Sequence, residues 1–148
     1  MRKGFALALL LLGTLSLGSA VAQTFAGDSI EESLSASPGD AARGRAIVAS
    51  RQTGLCLLCH SGPFPEERFQ GNLAPELSVS VSHLSAPQLR ARMVNASRFN
   101  PGTIMPTYYK ADHLVRVAPK FVGQPILNEQ EIEDVVTFLL SLSNTKQQ

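Results

Sequence analysis

Cys56, Cys59 and His60 form a C-x-x-C-H motif that contains both cysteines of the 148-residue chain. On a helical turn, side chains three and four apart share a face. The two thiols can therefore add across the two vinyl groups of a porphyrin while the imidazole points at the iron. Covalent attachment of a c-type haem is the chemistry this spacing signals. Other uses of paired cysteines fit less well. A thioredoxin-like redox pair follows a buried strand in a βαβ setting, and no such strand precedes Cys56. A tetrahedral zinc site wants four ligands, and there is no second cysteine pair. Haem attachment would use both thiols and leave none for a structural disulfide.

An iron held by His60 has a sixth position, for which the chain offers Met93, Met105, His83 and His113. Met105 precedes Pro106 in a loop rich in Pro and Gly, where a thioether can be aimed at the iron from the side opposite His60. Met93 falls on the apolar face of a predicted helix, where methionine usually fills space. His83 precedes a helix N-cap and His113 stands beside Asp112, both in surface-like contexts. Met105 is the expected ligand, giving the Met/His pair that raises the potential of cytochromes c. With that position filled, activation of O₂ or peroxide at the iron is not expected.

The N-terminus agrees with this chemistry. Arg2 and Lys3 precede an apolar run from Phe5 to Leu17, and Ala20-Val21-Ala22 closes with an A-x-A pattern, as in a secretory signal peptide. The run is too short and too interrupted to span a bilayer. Haem is joined to cytochromes c outside the bacterial cytoplasm, so an exported, periplasmic protein cleaved after Ala22 is expected. Lys and Arg number 13 against 12 Asp and Glu. That balance, without a basic run, gives no sign of nucleic-acid binding. The remaining length suits one domain: residues 23–38 read as a Ser/Ala/Glu-rich extension and residues 39–148 as a monohaem domain.

Three helices must position these groups. Asp40 can cap one running to Ser50, in which Gly44 costs about 1 kcal/mol relative to Ala; either another element approaches closely there or the glycine is merely tolerated. A second starts at Ser85 with Pro87 in its first turn, turning Leu89, Met93 and Val94 inward and leaving Arg90 and Arg92 on a solvated face. The third starts with Asn128 and Glu131 as a capping box, continues through Ile132, Val135, Val136, Leu139 and Leu140 at helical spacing, and can stop at Asn144. Residues 61–84 and 98–127 carry little regular pattern. Loops of that length are unusual in a compact domain unless they pack on a buried cofactor.

These segments together resemble a class I cytochrome c: Asp40, Gly44, the C-x-x-C-H, Gly71-Asn72-Leu73-Ala74-Pro75, Ile104-Met105-Pro106 and the final Ile132–Leu142 helix. Pro65-Glu66-Glu67-Arg68-Phe69-Gln70-Gly71, Met105-Pro106-Thr107-Tyr108-Tyr109 and Arg116-Val117-Ala118-Pro119 are similar to the SoxX family, the monohaem subunits of SoxAX complexes in bacterial thiosulfate oxidation. The resemblance implies an all-α fold of three to four helices and long loops wrapped around one covalent haem c. It implies Cys56 and Cys59 as thioether anchors, His60 and Met105 as axial ligands, and the Pro75 carbonyl as acceptor from the proximal imidazole. Gly44 would lie where the terminal helices cross, opposite Phe138. SoxAX joins thiosulfate to a cysteine of the SoxYZ carrier, an L-cysteine S-thiosulfotransferase reaction whose cysteine-ligated haem belongs to SoxA. The resemblance therefore implies a heterodimer with a SoxA-type cytochrome, contact with SoxYZ through that complex, and a downstream cytochrome c acceptor. This chain would have no catalytic residue and no activity alone. The competing reading is a free-standing periplasmic cytochrome c shuttle for another dehydrogenase, with the same haem chemistry.

Overall fold

The computed structural model describes residues 24–144. The expected signal peptide, residues 1–22, lies outside them. Four α-helices organise the described residues: α1 (Ala41–Ala49), α2 (Leu77–Val81), α3 (Ala86–Val94) and α4 (Glu129–Asn144). Short 3₁₀ turns occur at Cys56–Leu58, Ala96–Arg98 and Pro119–Phe121, and an isolated bridge pairs Ala26 with Ser29. The all-α expectation holds.

Local sequence explains where the longer helices begin. Asp40 accepts the Arg43 backbone N–H at 2.8 Å and caps α1. Ser85 and Gln88 exchange side-chain-to-backbone hydrogen bonds at the start of α3, with Pro87 in the first turn. Asn128 and Glu131 do the same for α4, at 3.0 and 2.8 Å. Each cap satisfies donors that the first helical turn leaves without partners. Helix α2 lay inside a stretch expected to be loop. It is only five residues long, too short for a periodic signal, and burial of Leu77 and Val81 holds it against α4.

Ile132, Val135, Val136, Leu139 and Leu142 of α4 are all buried, in one cluster with Val48, Leu57, Phe64, Leu89 and Tyr108. Helix α1 crosses α4 at Gly44. A Cβ there would lie 2.5 Å from the Asp134 carbonyl carbon and 2.9 Å from Phe138 Cβ. Of the two readings of Gly44, close approach is the correct one. The crossing also carries a polar clamp. The buried carboxylate of Asp134 accepts from Asp40 N at 2.8 Å, from Arg43 Nε and Nη2 at 2.7 Å each, and from Gln130 Nε2 at 3.0 Å. The Arg43 guanidinium, ahead of the other donors, holds this carboxyl below the usual range.

Arg90 overturns one expectation. Its side chain is 7% exposed and pairs with Glu133, Nε to Oε1 at 2.6 Å and Nη2 to Oε2 at 2.9 Å. Its Nη1 donates to the Ile30 carbonyl at 2.7 Å, and Glu133 Oε1 accepts the Leu34 N–H at 3.0 Å. Helical periodicity put Arg90 beside the polar Arg92, but the segment before α1 folds over that face and covers it. Ile30 is buried there against Ala91 and Val94, with Phe25, Leu34 and Phe99 around them. Arg92 keeps a half-buried position, its guanidinium over the Phe99 ring at 4.9 Å.

Candidate functional site

The C-x-x-C-H motif lies on a tight turn rather than in a regular α-helix. Leu55 enters it with φ 61°, a left-handed conformation costing about 1–2 kcal/mol for a side-chain-bearing residue. Cys56–Leu58 then makes one 3₁₀ turn, and His60 N–H returns to the Cys56 carbonyl at 2.9 Å. The following loop passes directly beneath. Gly71 N–H donates to the Leu57 carbonyl at 2.9 Å, and Ala74 N–H to the Cys59 carbonyl at 3.0 Å. Gly71 is required by this contact, since a Cβ would stand 2.5 Å from the Leu58 carbonyl carbon and 2.6 Å from that of Cys59.

The crossing brings the Pro75 carbonyl to His60. Nδ1 lies 2.6 Å from that oxygen, and because a carbonyl can only accept, Nδ1 carries the proton. The tautomer leaves Nε2 with a lone pair for a metal.

Cys56, Cys59, His60 and Met105 line one cavity of about 480 Å³, within the range of cofactor sites. Its walls are mainly apolar: Val48 of α1, Leu77 of α2, and Val135 and Leu139 of α4 meet the two long loops there. Met93 and Met105 both touch it. Met93 is buried on α3 and packs in the core, as a space-filling methionine does. Met105 is half-buried on a loop, its N–H held by Thr103 Oγ1 at 3.1 Å. His83 and His113 are exposed and do not line the cavity; His113 faces Asp112 at 3.4 Å.

A covalently held haem fits these residues. The cavity is apolar and large enough, both thiols open onto it, and an imidazole with a free Nε2 lies against it. Burial pushes the Cys56 thiol up to about 11. That burial runs against the thiolate character a reactive cysteine needs.

Sequence reasoning missed two contributors. Gln70 organises the loop after the motif, accepting from Gly62 N at 2.7 Å and donating to Phe64 O at 2.8 Å. Tyr108 is buried with its hydroxyl 2.7 Å from the Gly54 carbonyl and 3.8 Å from Cys56 Sγ. Burial, with Cys56 beside it, raises its pKa far above the ordinary phenol value, so it remains a donor at every working pH. Tyr108 stood within a recognised loop motif, but nothing in linear spacing places residue 108 beside residues 54 and 56.

No protein-family model and no curated protein matches the sequence. Among solved structures, SoxXA from P. pantotrophus is similar at 36% identity and a TM-score of 0.74, covering 81% of this chain and 93% of that chain. Identity and coverage at this level carry more than the fold. On that ground the chain belongs to the SoxX family of cytochromes.

Proposed function

We propose that the chain is the electron-accepting cytochrome c subunit of a SoxAX-type L-cysteine S-thiosulfotransferase. Cys56 and Cys59 would anchor haem c, with His60 and Met105 as its axial ligands. A bound haem supplies a one-electron ferric–ferrous couple. In this assignment the Pro75 carbonyl would orient the His60 ring, Met105 would supply a second ligand, and the apolar walls would exclude water and favour the less charged, reduced state. Joining thiosulfate to a carrier thiol releases two electrons and one proton, so electrons would pass through a relay one at a time.

The observation that carries this division of labour is the placement of the cysteines. The chain has two, and both line the cavity. Once they hold haem, no thiol is left to form a sulfur intermediate, and the sulfur chemistry falls to the partner. Membership of the SoxX family supports a subunit of a lasting complex over the free-standing shuttle.

The partner would be a SoxA-type cytochrome, with SoxYZ reached through the complex and a cytochrome c downstream. Residues 1–22 would be removed on export to the periplasm. Residues 39–148 would form the haem domain and residues 23–38 an extension, of which residues 30–34 pack across α3. No helix among the described residues is long and apolar enough to cross a membrane.

Rapid-mixing spectroscopy tests the proposal. The complex, supplied with thiosulfate and carrier thiol together, should reduce this haem, while the purified chain alone stays oxidised. Rapid reduction of the isolated chain by thiosulfate would refute the proposed division of labour.

A further inference from the structure

Tyr108 is 3% exposed, and its ring alone would serve the packing. A buried hydroxyl is costly unless it is bonded, so its placement needs a reason. Four hydrogen bonds hold the residue. Its N–H donates to Met93 O at 3.0 Å, and its carbonyl accepts from Ile126 N at 2.8 Å and Leu127 N at 3.0 Å. Its hydroxyl donates to Gly54 O at 2.7 Å. Cys56 Sγ lies 3.3 Å from the same Gly54 carbonyl. Helix α3 and the residues leading into α4 are thus held by the Tyr108 backbone, and its side chain alone reaches the turn carrying Cys56. Tyr108 lies three residues after Met105, with Pro106 between them restricting the backbone.

We propose that Tyr108 is a positioning residue for the axial ligand: its hydroxyl fastens the Met105 loop to the Gly54–Cys56 turn and so holds Met105 over the iron. This inference rests on the assignment of Met105 as axial ligand. Without the hydroxyl bond the loop keeps its backbone anchors but opens more often. An incoming ligand that needs the open form then binds more tightly by the factor gained in open population.

Tyr108→Phe in the holoprotein, titrated with imidazole, tests it. The variant should retain covalent haem and bind imidazole about tenfold more tightly, the equivalent of one buried hydrogen bond. The weak far-red absorption band of methionine-ligated ferric haem reports the displacement. Tyr109→Phe, which removes a hydroxyl bonded instead to Glu129, should leave the imidazole midpoint unchanged. A lower unfolding temperature with unaltered imidazole affinity would show that Tyr108 is only structural and overturn the inference. Absence of the far-red band from the wild-type holoprotein would overturn the Met105 assignment and this inference with it. If Tyr108→Phe yields no holoprotein, 3-fluorotyrosine labelling of Tyr109→Phe alters the hydroxyl's bonding strength in a folded protein. The imidazole midpoint should then shift at least about twofold, and an unmoved midpoint would overturn the proposal.

Discussion

Gly44→Ala sets two effects of opposite sign against each other. Helix propensity favours alanine by about 1 kcal/mol, and on an exposed helix the substitution would stabilise. At the α1–α4 crossing the new Cβ would sit 2.5 Å from the Asp134 carbonyl carbon and 2.9 Å from Phe138 Cβ, where carbon atoms pack at about 3.5–4.0 Å. Backbone on one side and the first side-chain carbon on the other cannot swing aside as a side-chain tip would, so the helices must separate. Overpacking of this kind costs roughly 1–3 kcal/mol. Separation also lengthens the bonds from Asp40 N and Arg43 to Asp134, which are already at 2.7–2.8 Å, and loosening that buried carboxylate adds about 1 kcal/mol or more. The clash therefore outweighs the propensity gain, and a net loss of about 1–3 kcal/mol is expected. For a domain of this size that lowers the unfolding midpoint by roughly 3–15 °C. Gly44→Val should lose more, since it adds volume and gives up propensity. Thermal unfolding of the holoproteins by circular dichroism measures the effect. An alanine variant as stable as the parent, or more so, would refute the close-approach reading of the crossing.

Met105→Ala should abolish the far-red methionine–iron band and give a high-spin or water-ligated iron, whereas Met93→Ala should keep the band and lose core stability; persistence of the band in Met105→Ala would place the ligand elsewhere. Arg90→Met should destabilise the fold by about 3–5 kcal/mol, the cost of leaving one partner of a buried pair uncompensated, and should expose residues 24–38 to limited proteolysis. A protected segment would show that Ile30 and Leu34 suffice to hold it. Asp134→Asn should weaken the protein at neutral pH. Because the folded carboxyl is depressed, its stabilising share is complete above the ordinary carboxylate pKa of about 3.9 and fades as pH falls through the lower folded value. The gap between parent and variant should therefore close on acidification, and a gap that stays constant would assign the effect to packing.

The candidate chemistry could be proposed in one dimension because it depends on neighbours in sequence. Cys56, Cys59 and His60 sit within five residues, the helix caps at Asp40, Ser85 and Asn128 act on their own first turns, and the apolar spacing of α4 states which face is buried. Short-range geometry links residue type to structure with little help from the rest of the chain. Tertiary structure alone decided the remainder. Arg90 carries the same local pattern as a solvated arginine, and only the return of residues 30–34 across α3 makes it a buried partner of Glu133. Leu77–Val81 is too short to nucleate by itself, and its burial against α4 makes it helical. Gly44 could have been a tolerated defect until the position of α4 was known. Tyr108 shows the same limit most plainly, because a bond between residue 108 and residue 54 exists only when two loops that share no periodicity close around one cavity.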